Sequence, residues 1–138
     1  MAEPGGGRIL LGHGSGGRLY RDLVNDVFVT AFANPVLDRL DDAAVLASSG
    51  RIAVTTDSHV VRPLRFPGGD IGSLAVHGTV NDLACAGAVP QYLAAAFVIE
   101  EGTDTELLRR IAMSMGAAAA GIFLVALIVV TLITMKKG

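Results

Sequence analysis

The sequence predicts an α+β (α/β) domain followed by a single long hydrophobic helix. Short apolar runs alternate with segments of helical periodicity up to about residue 115, which is typical of mixed α/β architecture. Residues 111–135 then form a stretch of 25 residues without a charge. A chain of 138 residues has room for one domain. We therefore expect a folded domain over residues 8–115 and a separate hydrophobic segment with a short basic tail over residues 116–138.

The N-terminal part predicts a strand, a loop and a helix, in that order. The apolar run 8–11 is typical of a short strand, and the run GHGSGG at residues 12–17 is too rich in glycine for either a helix or a strand. From Arg18 onward, apolar residues recur at helical spacing on one broad face. The helix is expected to end at Asn34, because a residue that precedes proline is biased away from the α conformation.

The middle of the chain predicts two strands, over residues 40–46 and 51–56, and then a loop over 60–69. A helix over 71–86 is expected next, with Asp70 as its N-terminal cap and Gly87 at its C-terminal end. A further strand is predicted over residues 92–99.

The last predicted helix begins with a capping box of Thr103 and Glu106 and has no stop signal. Residues 116–135 are 20 uncharged positions. At 1.5 Å per residue they would span about 30 Å, the thickness of the hydrocarbon core of a bilayer. We predict a single membrane-spanning helix over 116–135, and a buried hydrophobic segment is the alternative. Pairs of basic residues flank it on both sides, so charge does not choose its orientation.

The charge balance argues against nucleic-acid binding. The chain has 11 basic and 13 acidic residues, a net charge of −2, and no basic run that would track a phosphate backbone. All 13 acids and the nine arginines lie in residues 1–115, net −4, while the only lysines are Lys136 and Lys137. Nothing at the N-terminus resembles a secretory signal, so the domain is expected in the cytoplasm, with single-pass membrane association through the tail.

Cysteine and histidine do not indicate a metal centre. One cysteine, Cys85, excludes an internal disulfide and is expected to be a small core residue. His13, His59 and His77 lack the spacing of zinc ligands, so we interpret each as a local hydrogen-bonding residue. No serine or cysteine has the local signature of a nucleophile, and no catalytic residue is predicted.

The loop of residues 12–17 formally satisfies G-x-G-x-x-G between an apolar run and a helix. A dinucleotide site would also need an acidic residue at the end of a second strand, but Asp38 follows a helix that proline terminates. Two alternatives remain open. The loop can approach a phosphate group at the N-terminus of the helix, or it can be a purely structural turn.

Acidic residues at predicted strand ends are candidate magnesium ligands. Asp41, Asp42 and Asp57 lie there, although aspartate in such positions is most often a turn or cap residue. Carboxylates that converge hold Mg²⁺ together with nucleotide phosphates. Asn81 and Asp82 are poor helix formers in the middle of a predicted helix, among residues that look packed. Burying them would cost stability unless they had partners, which favours a ligand or a metal.

Five motifs in order resemble the hydrogenase-maturation HypE family: LLGHGSGG, LDDAAVL, TTDSHVV, PGGDIGSLAVHGTVNDLACAGAVP and YLAAAFVIEEG. That family belongs to an ATP-using superfamily with aminoimidazole ribonucleotide synthetase, selenophosphate synthetase and thiamine-monophosphate kinase. The resemblance implies a PurM-like N-terminal domain with a mixed β-sheet or half-barrel and flanking helices. It also implies a homodimer in which strands of both chains form one barrel, and a carbamoyltransferase or another hydrogenase maturation factor as a partner.

The resemblance further implies ATP and Mg²⁺ as cofactors. Carried over to this chain, it makes Asp42, Asp57 and Asp82 the metal ligands and Asn81 their support. The nucleotide would also be covered by the loop His13, Gly14, Ser15, Gly16 and Gly17. In the family, ATP activates a carboxamide on a C-terminal cysteine, and dehydration gives a thiocyanate, the source of cyanide ligands for nickel–iron hydrogenase.

Two features depart from the family pattern. The family continues into a second α/β domain and a terminal cysteine, so the complete dehydration is not expected on this chain. The hydrophobic segment 116–138 takes their place in the sequence. One alternative is therefore a tail-anchored interaction module without catalysis. The other is a different enzyme of the superfamily, such as a small-molecule kinase, against which HGSGG together with PGGDIG argues.

Overall fold

A computed structural model describes residues 7–122, 125–127 and 132–135 of the chain. The helices are α1 (Arg18–Leu23), α2 (Thr30–Phe32), α3 (Ile71–Cys85) and α4 (Thr105–Gly121). Four strands lie in the continuous part, β1 (Arg65–Phe66), β2 (Gly69–Asp70), β3 (Tyr92–Ala94) and β4 (Phe97–Glu100). Two more follow α4, β5 (Val125–Leu127) and β6 (Leu132–Met135). The predicted mixture of helices and strands is confirmed.

The N-terminal segment differs from its prediction at the start and agrees with it at the end. Residues 8–11 do not form a strand: Arg8 makes only an isolated bridge to Asp104, and Leu11–Gly14 is a turn of 3₁₀ helix. Helical structure then runs from α1 through a π-helical turn at Val24–Val29 into α2. It ends before Asn34, whose side chain donates to the carbonyl of Phe32, 2.8 Å away.

Helix α3 follows its sequence signals closely. The side chain of Asp70 accepts a hydrogen bond from the backbone N–H of Ser73 at 3.0 Å, and Ser73 Oγ accepts one from the N–H of Asp70 at 3.2 Å. This reciprocal cap satisfies two backbone donors that a helix N-terminus leaves open. Gly87 follows the helix with φ of +67°, a left-handed conformation that favours glycine. The predicted loop before it contains the short antiparallel pair of β1 and β2.

The strands predicted over residues 40–46 and 51–56 are not formed. The described structure has no helix or strand between Leu40 and Leu64, and apolar side chains there are largely exposed, as at Val45 (81%) and Val54 (79%). A strand exists through hydrogen bonds to a partner, and in the part of the chain that the structure describes these segments pair with no other strand. The residue types of these segments are typical of strands, but the two predicted strands are wrong for the described structure of the single chain.

Helix α4 also begins one residue later than its predicted capping box implies. Asp104, not Thr103, is the cap, and its side chain accepts a hydrogen bond from the backbone N–H of Leu107 at 2.9 Å. The strand predicted over 92–99 is divided into β3 and β4. These two strands pair in parallel with β5 and β6, respectively, so that Tyr92 is level with Val125 and Phe97 with Leu132.

The predicted continuous helix over residues 116–135 is wrong for the described residues of β5 and β6, while residues 116–121 are helical. Helix α4 ends at Gly121, and β5 and β6 follow. Residues 123–124, 128–131 and 136–138 lie outside the described residues. Length and apolar character do not distinguish a helix from buried strands, and the β-branched residues of this run favour strands. None of the helices in the described part of the chain has the length and apolar composition that crossing a membrane requires.

The core lies where the N-terminal helical segment, α3 and α4 meet. Phe28 is fully buried, and its ring centroid is 4.7 Å from that of Phe97 on β4. Glycines bring the helices close together, since a Cβ at Gly72 would lie 2.4 Å from the carbonyl oxygen of Ile111. The buried apolar residues of this cluster are Ile9, Leu23, Val27, Phe28, Phe32, Val76, Ile99, Leu108, Ala112, Met115 and Ala119.

Candidate functional site

The candidate site is the place where residues 55–59 run beside α3. Thr55 Oγ1 donates a hydrogen bond to Asp82 Oδ2 at 3.2 Å. Four residues later, His59 lies over Gly78, where a Cβ would be 2.6 Å from His59 Nε2. The segment and the helix are thus linked at two points, with Asp57 between them in sequence. Asp57 lines an open groove bounded by this segment, α3 and the β3–β4 region.

Both carboxylate oxygens of Asp57 are held by its own segment. Oδ1 accepts a hydrogen bond from the backbone N–H of Ser58 at 2.9 Å, and Oδ2 lies 3.4 Å from His59 Nε2. The Asp57 side chain is 40% exposed, so the oriented carboxylate still reaches solvent. A carboxylate that is fixed in direction and open to solvent is suited to a hard cation such as Mg²⁺.

Asn81 and Asp82 are exposed, which corrects the argument made for them from sequence. They were expected to be buried among packed residues, but the buried residues of α3, Gly72 and Val76, lie in its N-terminal half. Val80 packs against the core only in part, and Cys85 is exposed, so it is not the core residue that was predicted. Asp82 therefore has a free approach from solvent, and burial does not require a ligand there.

The predicted metal ligands are only partly brought together. Asp57 and Asp82 are both linked to the segment 55–59, but Asp42 lies in an exposed stretch without secondary structure. Its neighbour Asp41 forms a local ion pair with Arg39 at 2.7 Å. Within the described ranges, no three histidine, cysteine or acidic side chains are grouped closely enough to hold a metal ion.

The glycine-rich loop is stabilised mainly by contacts with itself. The N–H of Leu10 donates to His13 Nδ1 at 2.9 Å, and Ser15 Oγ donates to the carbonyl of Gly12 at 2.7 Å. Gly16 has φ of +76°, which a side chain would strain. Gly14 is the last residue of the 3₁₀ turn and Gly17 is the N-cap of α1, and in the described structure no residue of 13–17 lines the groove at Asp57. These contacts favour the structural-turn alternative for the loop in a single chain.

Comparison with known proteins identifies the family. Residues 40–128, more than half of the chain, match the family described as AIR synthase related protein, N-terminal domain. The chain belongs to this family. The AIR synthase related match continues beyond residue 115 and includes β5, which follows α4 in the structure.

The relatives of this AIR synthase related domain include hydrogenase maturation proteins. The chain is 52% identical over 123 residues to the carbamoyl dehydratase HypE of Rhodobacter capsulatus, covering 86% of this chain and 36% of that protein. It is similar to a solved structure of HypE in complex with ATP, with TM-score 0.90 and 46% identity, over 94% of this chain and 38% of that one. A solved HypE–HypF complex matches with TM-score 0.61 and 46% identity, over 84% and 37% of the two chains.

The AIR synthase related chain spans about a third of the length of the curated relatives that it matches. The resemblance to the HypE family drawn from its motifs is confirmed by these comparisons, and so is the mixed α/β fold. A match over about a third of a relative's length does not show that this chain has the activity or the partners of the complete protein.

Sequence reasoning did not identify three residues of the candidate site. Thr55 orients Asp82, His59 contacts Asp57, and Gly78 provides the space in which the ring of His59 lies. Two signals were available: Thr55, Asp57 and His59 alternate along one extended segment, and Gly78 and Asp82 are four residues apart on one face of a helix. His59 had been interpreted only as a local hydrogen-bonding residue.

Proposed function

We propose that this chain forms the Mg²⁺- and ATP-binding N-terminal part of a hydrogenase maturation protein of the carbamoyl dehydratase HypE type. The observation that carries the proposal is the similarity over most of the chain to HypE, including a solved HypE structure in complex with ATP. In the complete family reaction, ATP activates a cysteine-bound carboxamide for dehydration to a thiocyanate. The proposal for these residues concerns the nucleotide-binding step.

The side chains at the candidate site fit Mg²⁺. It takes oxygen ligands and is commonly bound by one or two carboxylates together with substrate phosphates and water. Asp57 and Asp82 supply two carboxylates that their neighbours hold in direction. Bound Mg²⁺ would neutralise the charge of the triphosphate. We assign Asp42 as a third ligand, Asn81 as their support and residues 13–17 as the nucleotide cover only on the strength of the family resemblance.

Substituting Asp57→Asn or Asp82→Asn is expected to weaken Mg·ATP binding by the chain at least about tenfold. Each change removes one negative charge next to the cation while keeping the size of the side chain, and tenfold corresponds to about 1.4 kcal/mol. Isothermal titration calorimetry with and without Mg²⁺ measures the effect.

Asp41→Asn is the matched control, since it makes the same change at an aspartate that pairs locally with Arg39. Its affinity for Mg·ATP is expected to equal that of the unmodified chain. If both site variants bind as tightly as this control, the two carboxylates do not bind the metal and the proposed function fails.

The proposal includes a homodimer through the segment of residues 40–64. Three apolar side chains of this segment are largely exposed: Ile52 is 71% exposed, Val54 79% and Val60 95%. An exposed row of β-branched residues beside unpaired backbone is a surface that a partner strand would cover. Pairing with the same segment of a second chain would form the shared barrel that the resemblance implies and would fix Asp42 in a sheet.

Val54→Glu is expected to shift the chain from dimer to monomer. A carboxylate cannot be buried unpaired in a strand interface without a large desolvation cost. Light scattering coupled to size-exclusion chromatography measures the mass. Met113→Glu, at a 58% exposed position on α4, is the control and should leave the mass unchanged. A chain that remains dimeric with Val54→Glu would place the interface elsewhere.

A second maturation factor as a partner is favoured by the solved HypE–HypF complex, which this chain matches over 84% of its length. We propose a carbamoyltransferase in that role and the cytoplasm, where ATP is available, as the compartment. The tail-anchored interaction module is not favoured. Its membrane helix is not supported, since the described residues after Gly121 are strands and α4 is too short to cross a bilayer.

A further inference from the structure

The segment beside α3 has two different faces. Thr55 and His59 are half-buried, while the residues on either side of each are exposed, as expected for an extended chain with one face on a helix. Asp57 lies between them in the sequence, two residues from each. Thr55 and His59 therefore lie on the side of the segment that contacts α3, while Ile52, Val54 and Val60 are largely exposed.

His59 has a place prepared for it on the helix. Its side chain is 16% exposed, and a Cβ at Gly78 would lie 2.6 Å from Nε2, closer than real atoms approach. Only glycine at this position lets the ring lie against α3. From there, Nε2 is 3.4 Å from Asp57 Oδ2. At this separation the two side chains lie within ion-pair distance of each other.

We propose that His59 is a positioning residue for Asp57. The ring, seated on Gly78, holds Oδ2, while the backbone N–H of Ser58 holds Oδ1, so the plane of the carboxylate is fixed before any ligand arrives. This inference deepens the proposed function and rests on it as far as the metal is concerned. The contact between His59 and Asp57 itself belongs to the ligand-free chain.

Fixing this plane matters because the terminal torsion of an aspartate is broad. Without a partner, the carboxylate samples many directions, and ordering it on binding costs entropy. Removing a side chain that orients a metal ligand without touching the metal typically lowers the metal affinity about 10- to 100-fold. The two contacts of Asp57 leave part of each oxygen's accepting capacity open, since an ionised carboxylate has about four acceptor sites.

The first test compares variants of the full chain at saturating ATP, with Mg²⁺ titrated by calorimetry. His59→Leu, which removes the nitrogen, is expected to weaken Mg²⁺ binding about tenfold. His59→Gln, whose amide nitrogen reaches a similar position, should restore it to within about threefold. Gly78→Ala displaces the ring and should match His59→Leu, with no further loss when the two changes are combined. His77→Leu, at an exposed position on α3, is the control and should change nothing.

Unaltered Mg²⁺ affinity in His59→Leu would overturn the inference, and so would an equal loss in His59→Leu and His59→Gln, because the ring would then serve only for packing. A readout without nucleotide separates this inference from the proposed function. In the ligand-free chain, the unfolding equilibrium constants of His59→Leu, Asp57→Asn and their combination should show a coupling of at least about twofold. If no form of the chain binds Mg·ATP, the proposed function fails while this coupling still decides whether His59 orients Asp57. Its absence overturns the inference.

Discussion

Replacing Phe28 by alanine is expected to lower the free energy of unfolding by about 3–5 kcal/mol. Phe28 is fully buried in the core cluster, and its ring packs at an inclined angle of 46° against that of Phe97. Truncation removes the transfer energy of the ring, leaves a cavity and breaks an aromatic pair that is worth about 0.5–1.5 kcal/mol by itself. Since small domains are stable by only about 5–15 kcal/mol, this single change approaches the whole stability of the chain.

Urea denaturation followed by circular dichroism measures this effect. Phe66→Ala is the matched control, because Phe66 lies in β1 at a half-buried position outside the core cluster, and it should lose less than half as much. If Phe28→Ala does not accumulate as a folded protein, Phe28→Leu keeps most of the buried volume and should show a smaller loss in the same direction. Equal losses at Phe28 and Phe66 would contradict the assignment of the core.

Local signals predicted helix α3 well. The cap at Asp70 depends on hydrogen bonds to residues nearby in the sequence, and the helix end at Gly87 depends on the backbone angle of that glycine. Both can be predicted from residue types at neighbouring positions. The same holds for the end of the N-terminal helical segment before Asn34. The neighbouring cap of α4 was misplaced by one residue, because Thr103 and Asp104 are both good caps and only the backbone geometry chooses between them.

Pairing between distant segments was not predictable in the same way. Residues 40–46 and 51–56 have the composition of strands, but a strand also needs a partner, and a single chain offers none at these positions. The opposite error was made at the C-terminus. There a long apolar run was taken for one helix, although the described parts after Gly121 pair with β3 and β4. In both cases composition was informative and long-range contacts decided the structure.

At the candidate site, too, the sequence indicated residues, and contacts between distant segments were not predictable. Motif resemblance pointed to Asp57 and Asp82, and the structure links both of them to one segment. The physical argument for Asp82, that it was buried, failed because Asp82 lies at an exposed position of α3. The spacing of Gly78 and Asp82 indicates a shared helix face, but the contact of Gly78 with His59 depends on a distant segment, and His59 Nε2 would lie 2.6 Å from a Cβ at this position.

Replacing Gly72 by alanine is expected to lower the free energy of unfolding by about 1–3 kcal/mol. Its Cβ would lie 2.4 Å from the carbonyl oxygen of Ile111 and 3.2 Å from that residue's Cγ2. The carbonyl is part of the hydrogen-bonded backbone of α4, so it cannot turn aside as a flexible side chain can. Alanine normally favours a helix over glycine by up to about 1 kcal/mol, but here the overlap is larger than that gain.

Gly121→Ala is the matched control for Gly72→Ala, because it makes the same change at the end of α4, where no atom of the described residues lies within 4 Å of the new Cβ. It should leave stability unchanged or raise it slightly, as measured by thermal and urea unfolding. A stable Gly72→Ala chain would mean that α3 can move away from α4 at little cost. Such a movement would be visible at the candidate site, since α3 also carries Gly78 and Asp82. The close contact at Gly72 therefore sets the position of the helix on which the proposed metal site depends.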